Sequence, residues 1–225
     1  MGLLDWLFGN SEVAGKPKRA GSVVRDGDWL RIPGIDFYGQ YVVSANGQFT
    51  FGWCDSHTDV SSNGGTRNVS GRYVLVEGER VALMGQMQRP NDGRVANNGT
   101  FAVCDWMFTT ALKGTFRVID RSGTSLVAHL FKANLYRCGI SDDGQWAVCQ
   151  TANADNRDGN KLTFFEVLSG KQSSRLPSSR SLRNSASRSC SELLVSLSLR
   201  AMTRKPATHR SASPTHMFLV TAASR

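Results

Sequence analysis

Ile140-Ser141-Asp142-Asp143-Gly144-Gln145-Trp146-Ala147-Val148-Cys149 is the stretch whose reading decides the fold. Asp-Gly is a strong signal for a tight turn, because the left-handed backbone such turns need costs glycine nothing. An aliphatic residue stands four positions before the glycine, an aromatic two after it and an apolar residue four after it. The alternation that follows the turn has period two, so the segment reads as strand, hairpin turn, strand. Superposing the other Asn-Gly pairs finds the same offsets twice more, in Val43-Ser44-Ala45-Asn46-Gly47-Gln48-Phe49-Thr50-Phe51 and Val95-Ala96-Asn97-Asn98-Gly99-Thr100-Phe101-Ala102-Val103-Cys104.

The glycines at 47, 99 and 144 are 52 and 45 residues apart. Propeller blades repeat at about 40–50 residues and carry four antiparallel strands each. The spacing therefore predicts an all-β fold: antiparallel four-stranded blades of a β-propeller-like, incomplete array. A Ser-, Asn- and Gly-rich insertion at Ser56–Asn68 lengthens the first unit. Strands are expected near 41–44, 49–54, 72–76, 81–87, 101–107, 115–120, 125–130, 146–150 and 162–167. A β-sandwich also has short strands and frequent turns, but it does not require the same residue types at fixed offsets in three copies. Phe49, Phe51, Phe101, Val103, Trp146 and Val148 recur at strand spacing and are expected in the blade core. Gly47, Gly99 and Gly144 are expected in the turns.

The third copy resembles the "S-P-D-G-K-x-x-A-V" element of bacterial propellers similar to the WD-repeat family. Phe164-Phe165-Glu166-Val167-Leu168-Ser169-Gly170-Lys171 resembles the "V-W-D-x-x-T-G-K" end of a third strand in the same family. The resemblance spans residues 35–171 and implies a non-catalytic interaction module or scaffold that docks a protein partner. Ile119-Asp120 and Phe165-Glu166 stand where the strict repeat has Trp-Asp, and there is no Gly-His pair. The structural hydrogen-bond network of the strict repeat is therefore not carried over.

Charge divides the chain. Lys171–Arg225 holds ten basic residues and one acid, Glu192, which leaves 17 of each sign in residues 1–170. A neutral body with a cationic end is not a basic nucleic-acid-binding domain. Residues 172–225 contain fourteen serines and eight arginines, whereas all 22 glycines lie at or before Gly170. This stretch reads as a disordered basic tail, or as a part of the chain that has left its original reading frame. Its one aromatic is Phe218. Single-strand binders stack bases on aromatics, so nucleic acid is not the expected partner, and any contact through the tail is nonspecific. Blade arrays bury their faces against neighbours, so self-association through an open sheet edge is a second expected contact.

Residues 1–34 read as an apolar segment and linker. Leu3-Leu4-Asp5-Trp6-Leu7-Phe8 is expected to form a helical turn or two against the body, with reversible membrane-surface contact aided by Lys16, Lys18 and Arg19 as a second reading. No run approaches the roughly 18 apolar residues of a spanning helix. Five cysteines without a C-x-x-C pair fit a reducing, cytoplasmic setting in which they act as small hydrophobes. Their spacings match no zinc finger or knuckle, and no cofactor is expected.

The sequence holds no P-loop, no G-x-S-x-G elbow and no H-E-x-x-H helix. Asn153–Asn160 resembles a calcium loop, but ligands fail at its ends, and it reads as a polar hairpin loop. Asp55-Ser56-His57-Thr58-Asp59 is the one chemical candidate. On an extended chain Asp55, His57 and Asp59 share a face and could meet a metal ion or a proton, the alternative being a polar strand end.

Overall fold

A computed structural model describes residues 22–60, 66–108 and 111–177. They form an all-β, propeller-like stack of three antiparallel sheets. The first sheet takes β1 (Val24–Asp26), β2 (Trp29–Ile32), β3 (Phe37–Val43) and β4 (Phe49–Cys54). A hairpin of β5 (His57–Val60) and β6 (Thr66–Val69) branches off, and β7 (Gly71–Glu77) and β8 (Arg80–Met87) complete the order β1-β2-β3-β4-β7-β8. The second sheet holds β9 (Pro90–Val95), β10 (Phe101–Asp105), β11 (Gly114–Ile119) and β12 (Ser125–Phe131). The third holds β13 (Leu135–Ile140), β14 (Trp146–Thr151), β15 (Lys161–Glu166) and β16 (Lys171–Pro177).

Every strand expected from the sequence is present. Three expectations change. The first sheet begins at Val24, inside the stretch read as a linker, because Leu30 and Ile32 alternate with exposed Trp29 and Arg31 on a strand of only four residues. The Ser56–Asn68 insertion carries a hairpin, β5 paired with β6 from His57↔Val69 to Val60↔Thr66. The third sheet takes its outer strand from Lys171–Pro177, so the blade is completed by the first residues of the stretch read as a tail. A polar outer strand shows no apolar alternation, yet its backbone satisfies the edge of β15. The apolar N-terminal turn and the rest of the basic segment, including Ser191–Arg200, where a short helix is expected from Leu193, Leu194, Leu197 and Leu199, lie outside the described residues.

Each sheet is apolar on both faces. Between the first and second sheets, Phe49, Phe51, Trp53, Tyr73 and Leu75 meet Val95, Phe101, Val103 and Ile119. Phe51 and Phe101 stack with centroids 4.4 Å apart, and Phe101 also meets Tyr73 at 5.5 Å. Between the second and third sheets, Cys104, Phe116, Val118 and Phe131 meet Leu135, Cys138, Ile140, Cys149 and Phe165. The first sheet covers its remaining face with its own first strands. Leu30 and Ile32 pack on Val74, Val76 and Val81, although β2 and β7 are not neighbours in the sheet. Arg25 of β1 fastens this roll, donating to Glu79 at 3.0 Å, the Gly78 carbonyl at 3.1 Å and Thr50 at 3.3 Å.

Of the residues expected in the blade core, Phe49, Phe51, Phe101, Val103 and Val148 are buried and Trp146 is not fully so; Trp146 and Val148 lie on the far face of the third sheet. Val148 is buried with Leu162 and Phe164, and Trp146 is only partly buried beside them, in a cluster drawn from β14 and β15 alone among the described residues. Period two fixes which residues share a face, but not which face meets a neighbouring sheet.

The repeated turns have one local design. Asn46, Asn98 and Asp143 each turn a side-chain oxygen onto the backbone N–H two residues on, at 3.1, 2.9 and 2.9 Å. Ser44 and Ser141 donate to that same oxygen at 2.7 and 2.6 Å, and their hydroxyls accept the Phe49 and Trp146 N–H groups, each at 3.0 Å. Ala96 has no hydroxyl, and its turn closes one residue earlier, on Thr100. Gly47, Gly99 and Gly144 sit at φ of 72°, 82° and 74°, as the sequence predicts.

The turns are also tied to one another. Asn46 N–H donates to the Asn97 side-chain oxygen at 2.8 Å, Asn97 N–H to the Asp142 carbonyl at 2.8 Å, and the Asn98 amide to the Asp143 carbonyl at 3.2 Å. A Cβ on Gly144 would stand 2.8 Å from the Asn98 amide nitrogen, whereas one on Gly47 would meet nothing.

Gly47→Ala should therefore cost only the left-handed backbone penalty, about 1–2 kcal/mol. Gly144→Ala should cost more, because Asn98 must give up its bond to Asp143 to make room. Denaturant unfolding of both variants tests the difference, and equal losses would contradict the turn-to-turn tie. In the same assay Phe101→Ala should lose about 3–5 kcal/mol as a fully buried ring, and Trp146→Ala should lose less.

Candidate functional site

The ends of the stack differ in what their polar groups are doing. At the turn end, a depression of about 510 Å³ is lined by Asn97, Asn98, Asp120 and Arg121 among others. The asparagines there are engaged in the turn ties, and Asp120 accepts from Ser122 and Thr124. At the other end, a cleft of about 170 Å³ opens between the first and second sheets, bounded by Trp29, Tyr38, Gln40, Trp53, Asp55 and Asn91.

Strand registers explain how this cleft forms. Tyr38 pairs with Arg31 and Gln40 with Trp29, so the exposed positions of β2 and β3 face one way. Trp29 and Tyr38 stack there with centroids 4.9 Å apart and planes within 3°, and remain 44% and 58% exposed. Trp53 forms the inner wall, and its indole N–H is fixed on the Asn91 carbonyl at 3.1 Å.

Asp55 closes the cleft on the side of the link between the first two sheets. Its carboxylate receives Arg89 Nε at 3.2 Å and Nη2 at 2.9 Å, a two-pronged pair, and the Ser56 N–H at 2.7 Å. The guanidinium lies over the Trp106 ring at 5.7 Å. The hydrogen bond to Asp55 holds Arg89 above the ordinary guanidinium value, more than burial lowers it, so this charge is permanent.

The structure brings His57 and Asp59 together and turns Asp55 to Arg89. His57 Nε2 lies 3.1 Å from Asp59 Oδ1, with both side chains more than 60% exposed. The alternation on β5 thus puts His57 and Asp59 on one face, as expected. Asp55, His57 and Asp59 do not form a three-ligand cluster; among the described residues the single such cluster is Asp92 with Cys104 and Cys138.

Sequence reasoning missed Trp29, Tyr38, Gln40, Asn91 and Arg89 as members of a site. The available signal was a pair of aromatics with polar flanks, Trp29 in the stretch read as a linker and Tyr38 at the start of the repeats. Arg89 had none, because its partners come from other strands. Its own N–H donates to Asp105 Oδ1 at 2.7 Å, as does Met107 N–H at 3.2 Å, and Asp105 is 4% exposed. The link from β12 to β13 is pinned the same way, by buried Asp158 accepting the Lys132 N–H at 2.8 Å.

No protein-family model matches the chain, and no curated protein sequence does. Among solved structures it is similar to Kuenenia stuttgartiensis hydrazine synthase, at 15% identity over 75% of this chain and 69% of that one, with a TM-score of 0.36. A likeness this distant carries no functional argument.

The two carboxylates of this end should behave differently on removal. Asp55→Ala breaks a half-exposed pair, worth about 0.2–1 kcal/mol. Asp105→Ala leaves the Arg89 and Met107 N–H groups without their acceptor, at about 1–3 kcal/mol for each buried group. Thermal and denaturant unfolding should rank Asp105→Ala as clearly the more damaging.

Proposed function

We propose that the chain is a non-catalytic interaction module that docks a protein partner on the surface built around Trp29 and Tyr38. The observation that carries this reading is the stacked, half-exposed aromatic pair on the rim of a cleft whose walls are fixed by Trp53 and the Asp55–Arg89 pair. Large rigid rings lose little side-chain freedom on docking, and Trp, Tyr and Arg are the residues on which interface energy concentrates. Gln40 and Asn91 stand beside the rings and can supply hydrogen bonds that orient an incoming segment. Self-association through an open sheet edge is the second contact this reading allows.

The test is to place a photo-crosslinking residue at position 38, identify the protein it captures by mass spectrometry, and measure that purified partner against the wild-type chain. Trp29→Ala with Tyr38→Ala should lose about 2 kcal/mol or more of binding while the chain keeps its unfolding midpoint within a few degrees. A double variant that binds as tightly as the wild type would overturn the reading.

A further inference from the structure

We propose that Cys104, Cys138, Cys149 and Asp92 form a structural zinc site between the second and third sheets. Cys104 is on β10, Cys138 on β13, Cys149 on β14 and Asp92 on β9. The two sulfurs of Cys104 and Cys138 and a carboxylate oxygen of Asp92 lie within 4.8 Å of one another. Cys138 and Cys149 are direct cross-strand partners, so their side chains leave the sheet on one face. All three thiols are fully buried and none is in a disulfide.

Two sulfurs and one oxygen are already gathered there, and Cys149, beside Cys138 on the next strand, would supply the third sulfur that a thiophilic, tetrahedral ion takes. Zinc–sulfur bonds of about 2.3 Å put the ligand atoms of a tetrahedron about 3.8 Å apart, so the Asp92, Cys104 and Cys138 atoms, within 4.8 Å of one another, must close by up to about 1 Å. Asp92 already has the support a ligating carboxylate needs. One oxygen accepts the Cys138 N–H at 2.7 Å, and the other accepts Arg94 Nη1 at 2.9 Å, which fixes the carboxylate and offsets part of the negative charge of three thiolates. The Asp92 side chain is 18% exposed and Arg94 35%, so this side of the cluster gives the ion its route from water.

Zinc binding converts Cys104, Cys138 and Cys149 from thiols to thiolates, and their protons leave to solvent. Affinity therefore rises with pH. Because the ligands come from two sheets, the ion also fastens one sheet to the other and resists their separation.

Cobalt(II) is the probe. Added to the reduced, full-length chain, it should bind at about one equivalent with a thiolate-to-cobalt charge-transfer band and tetrahedral visible bands, all removed by zinc. Cys104→Ser and Cys138→Ser should lose the band, Cys54→Ser should keep it, and Arg94→Ala should weaken zinc about 10–100-fold by freeing Asp92. A second measurement covers variants that do not fold. In wild-type chain under mild denaturant, zinc should slow alkylation of Cys104, Cys138 and Cys149 but not of Cys54, and a chelator should reverse this. Absence of the charge-transfer band in wild type, its persistence in folded Cys138→Ser, or alkylation of Cys104, Cys138 and Cys149 at the same rate with and without zinc would overturn the proposal.

Discussion

A sheet with apolar side chains on both faces must bury both, and this requirement organises the chain. The inner faces are satisfied by stacking. Phe51 against Phe101 seals the first seam, and Phe116 against Phe165, with centroids 5.3 Å apart, seals the second. The outer face of the first sheet is satisfied differently, by rolling β1 and β2 back over β7 and β8 so that Leu30 and Ile32 serve as the missing neighbour. The outer face of the third sheet is built from Trp146, Val148, Leu162 and Phe164, and among the described residues no other sheet supplies side chains to that cluster.

Stacking also sets where chemistry can occur. At one end the hairpin turns are tied in series, from Asn46 through Asn97 to Asp142, which engages their polar groups and leaves a surface with structural duties. At the other end the chain passes from one sheet to the next, and each passage is held by a carboxylate, Asp105 for the first and Asp158 for the second. Because β2 pairs with β3 in the register that sets Trp29 opposite Gln40 and Arg31 opposite Tyr38, their exposed aromatics gather beside the first passage. The roll that covers the first sheet thus also creates the aromatic rim of the cleft.

The cysteines show why residue pattern and chemistry separate. Cys104 and Cys149 occupy the same place in their repeats, and period two reads both as core, which their burial supports. Spacing along the chain cannot reveal that Cys138 and Asp92 meet Cys104, because these three residues come from three strands of two sheets. A zinc finger is legible in sequence since its ligands flank local turns; a cluster between stacked sheets has no such spacing.

The sequence by itself determined the hairpins. A left-handed glycine, an Asn or Asp folding onto the backbone two residues on, and alternation after the turn are all local, so Gly47, Gly99 and Gly144 and the strands around them could be placed from residue types alone. It also determined which side chains share a face of a strand, as with His57 and Asp59. Tertiary structure decided everything that depends on which segment meets which. Pairing β1 and β2 into the first sheet, adding Lys171–Pro177 to the third, sending Asp55 to Arg89, and putting Trp146 on a far face are contacts across tens of residues. Short or polar strands such as these carry little periodic signal of their own, and their place is fixed by the sheet edges and apolar faces that the rest of the chain leaves to be covered.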